Sequence, residues 1–197
     1  VPLADAAVGA VLDEFAGNAK LKGIRHVVQD EPDANFILGT AFNQGVSQLK
    51  SRGLVYDILI YEQQLPASIE FVDRHPNQIF VLDHLAKPKI ATGQVQSWAT
   101  NLRELAQREN VFCKLSGVVT EADWNAWTPD TIRPYAEVAL EAFGPKRLMY
   151  GSDWPPLMLA SNYTDWLQTV QQMTAPLSRE EQAWVLGKTA QAAYGLD

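Results

Sequence analysis

Hydrophobic and polar positions along the chain alternate between two periods. Leu3, Ala7, Val8, Val11, Leu12 and Phe15 recur at helical spacing, which predicts a helix over 3–15 ending at Gly17-Asn18. After Gly23 the pattern changes to Ile24-Arg25-His26-Val27-Val28-Gln29, a strand that closes in polar residues and Pro32. A short helical stretch around Val46 and Leu49 stops at Gly53, and the apolar run Leu54 to Ile60 then reads as a buried strand. A helix from about Pro66 to His75 precedes Phe80-Val81-Leu82, where the third strand turns abruptly into Asp83, His84, Lys87 and Pro88. Val95, Trp98, Leu102 and Leu105 mark the next helix, and Val111 to Gly117 the fourth strand. Thr128-Pro129 opens a helix that runs to Phe143, and the fifth strand begins at Arg147 and ends at Asp153-Trp154-Pro155. Helices around Trp166 to Val170 and from Ser178, with Glu181 completing a capping box, lead to Gly195.

Five strands alternating with helices in one sense predict a parallel sheet covered by helices. An open doubly wound sheet and part of a (β/α)8 TIM barrel are the alternatives. No strand is followed by a glycine-rich phosphate turn, which counts against the first. Ionisable residues gather at the carboxyl ends of the strands, where barrel enzymes place their sites, so the barrel is favoured.

Composition narrows the function. The 197 residues suffice for a single domain, 1–197, and a net charge of −7 without a basic run opposes a nucleic-acid groove. No apolar stretch approaches the roughly 20 residues of a membrane span and no signal segment opens the chain, so a cytoplasmic protein is expected. The lone Cys113 lies in the fourth strand and reads as a buried, inert thiol.

The chemistry rests on few residues. Of three histidines, His75 sits at a helix end and reads as a solvated imidazole, whereas His26 and His84 belong to strands. A lone strand histidine is ordinarily a satisfied core residue; two of them with Asp153 after another strand point to a site. Imidazole and carboxylate suit a borderline divalent ion such as zinc, or the aspartate can act as a general base on a water held there. Asp153 on its own would equally serve to cap a turn. Asp83 should face away from His84 and serve as a structural partner. Lys114, in the middle of an apolar strand, needs a polar cavity or a counter-charge. Arg25, Lys87 and Lys114 can orient an oxygen-rich or carboxylate-bearing substrate, and Trp154 can stack on a sugar-like ring; each also has a plain packing or surface reading.

Four segments, Lys22 to Gln29, Val81 to Pro88, Cys113 to Gly117 and Met149 to Pro155, closely resemble the amidohydrolase family 2 proteins, and within them the sugar lactonases of the L-fuconolactonase and L-rhamnonolactonase type. The resemblance spans nearly the whole chain. It implies a (β/α)8 barrel that opens a sugar-acid lactone, with Asp153, His84 and His26 as catalytic residues and Asp153 activating water. It further implies a divalent metal, zinc foremost, on His84 and Asp153, and Arg25, Lys87, Lys114 and Trp154 on the substrate. The family's first-strand His-x-His pair is absent from this sequence. The five strands therefore correspond to strands 4 to 8, and a whole barrel takes about 250 residues. Such an arc leaves strand edges for a second copy or a domain-swapped partner to cover. A metal-dependent decarboxylase of the same superfamily and an inert barrel fragment acting through a partner chain are the alternatives.

Overall fold

The computed structural model describes residues 1–196. Its centre is a parallel sheet of β1 (Gly23–Val27), β2 (Val55–Leu59), β3 (Phe80–Leu82), β4 (Val111–Leu115) and β5 (Leu148–Tyr150), paired in sequence order. A doubly wound sheet reverses its strand order at a switch point, and this one does not; a wall of a TIM barrel runs in sequence order. The fold is that of a partial barrel.

Helices α1 (Val8–Glu14), α2 (Thr40–Val46), α3 (Leu65–Asp73), α4 (Gln96–Ala106), α5 (Pro129–Phe143) and α6 (Tyr163–Thr174) fill the connections. Their ends follow local chemistry. Thr128 Oγ1 accepts the Thr131 amide at the start of α5, Pro129 takes the first turn where no amide partner is needed, and Gly144 ends the helix at φ 66°. Asn162 caps α6 by accepting the Asp165 amide at 3.0 Å.

The period of two along each strand divides the sheet into two environments. Ile24, Tyr56, Ile58, Phe80, Leu82, Val111, Cys113 and Leu115 face the helices and are buried with Trp98, Phe71 and Trp166 in the main core. Val55, Val81 and Met149 face the other way, into what would be the barrel interior, and pack with Phe112, Ala190, Ala193 and Tyr194. The last three belong to the chain's final helix, so the carboxyl-terminal segment lies across the inner face of the sheet.

Three expectations change. The first helix spans Val8–Glu14 rather than 3–15, although Leu3 remains fully buried. The last helix is interrupted: α7 (Arg179–Ala183) passes through a π-helical stretch, Trp184–Lys188, into α8 (Thr189–Tyr194), which redirects the chain onto the sheet. His75 is not solvated. Its ring is part-buried between Phe71 and Phe80, bonds to Asn43 Oδ1 at 2.9 Å, and burial lowers its pKa, with Arg74 adding to the effect.

Candidate active site

The carboxyl ends of β3, β4 and β5 converge. β3 places Asp83 on the inner face after Val81, and simple alternation would then send His84 outward. The backbone prevents this. His84, Leu85, Ala86 and Lys87 all adopt left-handed conformations, with φ of 54°, 53°, 59° and 50°. Each costs an L-residue about 1–2 kcal/mol. Burial of Leu85 and Ala86 and the 2.7 Å bond from Trp98 Nε1 to the Leu85 carbonyl hold the turn in place. Its effect is to swing His84 back toward the ends of β4 and β5, so that Asp83 and His84 serve one site instead of opposite faces.

His84 is nearly buried and held on both ring nitrogens. Nδ1 lies 2.9 Å from Ser116 Oγ, just beyond β4, and Nε2 lies 3.5 Å from Asp153 Oδ1, beyond β5. Burial lowers the pKa of the imidazole more than Asp83 and Asp153 raise it, which favours the neutral ring. Asp153 sits at φ 55° and does not cap the turn that follows; Ser152 Oγ does that by accepting the Trp154 amide at 3.2 Å. The Asp153 carboxylate is thereby free to face His84. Gly117, at φ 62°, makes room for the pair: a Cβ there would stand 2.6 Å from His84 Nδ1 and 2.9 Å from Asp153 Oδ2.

Beneath this pair lies a chain of charges on the inner face. Tyr194 of α8 donates to Asp57 Oδ1 at 2.7 Å, and Asp57 Oδ2 accepts from Lys114 Nζ at 2.8 Å. Lys114 Nζ also lies 2.8 Å from Asp83 Oδ1, at ion-pair distance though without hydrogen-bond alignment, and Asp83 Oδ2 accepts from Arg25 Nη1 at 2.9 Å. Asp83 has no exposed side-chain surface. Its burial raises its pKa, but Lys114 and Arg25 outweigh that and hold it ionised. Asp57 is raised, because burial and repulsion from Asp83 exceed its share of the one lysine. Lys114 is raised despite burial, since two carboxylates flank it.

The sequence-derived residues separate accordingly. His84 and Asp153 come together, and Arg25 and Lys114 stand in the charge chain beside them. Lys87 lies at the end of the left-handed turn, 4.0 Å from Glu121 Oε1 and 5.3 Å over the Tyr61 ring. Trp154 presents its indole to solvent next to Asp153, with 63% of its surface exposed. His26 is not brought to this site. It occupies the helix-facing side of β1, stacked on Phe36 at 4.9 Å, edge-on to Phe42 and bonded to Glu31 Oε1 at 2.6 Å. That arrangement is a satisfied packing histidine. Ser116, Gly117, Asp57, Glu121 and Tyr194 were not singled out from sequence.

A family model described as amidohydrolase matches residues 1–196. The chain belongs to the amidohydrolase family. It is 41% identical over 188 residues to an L-fucono-1,5-lactonase of Burkholderia multivorans, covering 90% of this chain and 64% of that protein. A second L-fucono-1,5-lactonase, from Burkholderia ambifaria, is 36% identical over 194 residues, 95% of this chain and 66% of the relative. The chain thus spans just under two thirds of the length of these relatives. A crystal structure of a Burkholderia multivorans amidohydrolase with bound zinc superposes with a TM-score of 0.96 at 39% identity, over all of this chain and 72% of the other.

Proposed function

We propose that this amidohydrolase chain carries the water-activating half of a lactone hydrolase whose substrate is a sugar-acid lactone. The observation that carries the reading is the convergence of Asp153 and His84, locked by Ser116 and made possible by Gly117. With the serine hydroxyl donating to Nδ1, the proton of the neutral ring rests on Nε2, directed at the space Asp153 also faces. Asp153 accepts a proton from a water as it attacks the lactone carbonyl, and His84 Nε2–H donates to the carbonyl oxygen as negative charge develops there. Collapse of the tetrahedral intermediate breaks the ring C–O bond, and the proton held by Asp153 passes to the leaving alkoxide. The half-exposed Arg25 beside its Asp83 partner and the exposed Trp154 indole support a role for both in orienting the sugar ring. The similarity to two L-fucono-1,5-lactonases supports the choice of substrate class.

A divalent metal is supported by the zinc of the Burkholderia structure, and His84 and Asp153 are the residues of this chain that would hold it. These two do not make a complete site. Catalytic zinc takes three protein ligands, and no group of three or more His, Cys, Asp or Glu side chains among the described residues is arranged to hold an ion. The proton transfers above therefore use the chain's own side chains.

The similarity to the two lactonases also supports a small-molecule substrate. Among the described residues no helix is long and apolar enough to cross a membrane. The test is an Asp153→Asn variant assayed by proton release on a panel of sugar-acid lactones. Loss of a general base lowers kcat by about 10²–10⁴-fold. Parental turnover by this variant would remove Asp153 from the reaction.

A further inference from the structure

The loops that deliver His84 and Ser116 continue into a second, opposed pair of side chains. Lys87 follows His84 by three residues on the β3 loop, and Glu121 follows Ser116 by five on the β4 loop. Their charged atoms are 4.0 Å apart, too far for a hydrogen bond, with side-chain exposures of 18% and 23%. Among the described residues neither charged group has a hydrogen-bond partner of its own, although Lys87 rests over the Tyr61 ring at 5.3 Å. Both groups therefore retain unused hydrogen-bonding capacity on the two loops that carry His84 and Ser116; burial raises the Glu121 pKa, Lys87 opposes that rise and the Asp153 charge adds to it.

Charge around the site is the second observation. Arg25 is matched by Asp83, Lys114 by Asp83 and Asp57, and Lys87 by Glu121, while among the described residues Asp153 makes its one ion-pair contact with the His84 ring. Three cations thus face four carboxylates, so the rim has no net positive charge to offer an anionic substrate. A lactone that also bore a carboxylate or sulfonate would meet the Glu121 and Asp153 carboxylates, both largely buried, where like charges repel strongly. A hydroxyl pair is the better match, because a hydroxyl can donate to Glu121 and its neighbour can accept from Lys87.

We infer that Glu121, opposed to Lys87, is a specificity-determining residue that selects uncharged, polyhydroxylated lactones and rejects lactones carrying an additional anionic group. The inference rests on the lactone-hydrolase reading and deepens it. It works by both attraction and exclusion, since the same carboxylate binds a hydroxyl and repels an anion.

The experiment compares the chain with Glu121→Gln and Lys87→Met variants in two assays. The first is hydrolysis of a neutral aldonolactone and of a carboxylate-bearing butenolide. The second is equilibrium binding of two non-hydrolysable lactams of matching shape, one polyhydroxylated and neutral, the other carboxylated. Glu121→Gln is expected to shrink the preference for the neutral compound tenfold or more in each assay, by weakening the neutral ligand and admitting the anionic one. Lys87→Met is expected to weaken the neutral ligand and, by leaving Glu121 unmatched, to exclude the anion more strongly. Equal changes for both ligands, with circular dichroism showing an intact fold, would overturn the inference. Lactam preference without hydrolysis of any lactone would defeat the hydrolase reading and leave Glu121's assignment standing. Hydrolysis without lactam discrimination would do the reverse.

Discussion

At the scale of single residues the site depends on positions that contribute little chemistry themselves. Gly117 is one, and it can be compared with Gly53, which has nearly the same backbone but a different neighbourhood. Both sit in the left-handed region, at φ 62° and 67°, yet an added Cβ meets His84 and Asp153 at Gly117 and nothing within 4 Å at Gly53. Alanine at either position carries the left-handed penalty of about 1 kcal/mol. Only at Gly117 must the His84 imidazole or the Asp153 carboxylate also move. Gly53→Ala should lower the urea midpoint while leaving lactone turnover within about twofold. Gly117→Ala should lower the midpoint by a similar or somewhat larger amount and reduce kcat at least tenfold, because proton transfer is lost steeply with sub-ångström misplacement. Paired denaturation and steady-state kinetics on the two variants separate backbone strain from site geometry. Equal turnover in both would mean that His84 and Asp153 tolerate displacement, against the role given to their contact.

At the scale of elements, strands β2, β3 and β4 are joined through Lys114 as well as through their ladders. The lysine stands between Asp57 on β2 and Asp83 at the end of β3, and Tyr194 ties α8 to the same cluster. Lys114→Met removes the only cation touching Asp57 among the described residues and leaves two carboxylates facing one another in a buried space. Breaking such a pair destabilises by about 3–5 kcal/mol at neutral pH. In the variant Asp57 loses the cation that lowers its pKa and titrates further above its unfolded value, so the folded state binds more protons there than the unfolded one and stability rises as pH falls. Urea midpoints at pH 7.5 and 5 should therefore converge with those of the parent toward acid; a constant difference would show that Lys114 acts by packing alone. Much of this was legible in the sequence. Apolar runs ending in ionisable residues gave the five strands, and a lysine amid apolar neighbours announced a counter-charge. Parity was equally legible: His26 shares its face with Ile24 and Val28, both buried, which marks it as a helix-facing residue. The left-handed turn at 84–87 was not legible, because Leu85 and Ala86 carry no local preference for that conformation and only burial and the Trp98 bond sustain it. Nor could Tyr194 be paired with Asp57 across 137 positions of sequence without the fold that brings α8 onto the sheet.

At the scale of the molecule, the sheet presents two strands with a single partner each. Among the described residues β1 pairs only with β2 and β5 only with β4, whereas a closed barrel has no edges at all. Unpaired amide and carbonyl rows template further strand addition, and the inner face beside β1 adds apolar surface, with Val27 43% exposed. The final helix covers part of that inner face, at Val55, Val81 and Met149, but it makes no ladder with either edge. A chain of these 197 residues, 21.9 kDa, should therefore associate on purification, by edge pairing between copies or by exchange of βα units. Light scattering coupled to size exclusion should give a mass above one chain that increases with loading concentration. An inward-pointing charge on an edge strand opposes such pairing, so Val27→Lys should shift the distribution toward a single chain without altering the Asp153–His84 geometry at the far side of the sheet. A mass of one chain at every concentration, for both proteins, would mean that the edges are too short or too twisted to recruit a partner. Association would then give no route to completing the site, and any activity would belong to the residues already gathered around Asp153.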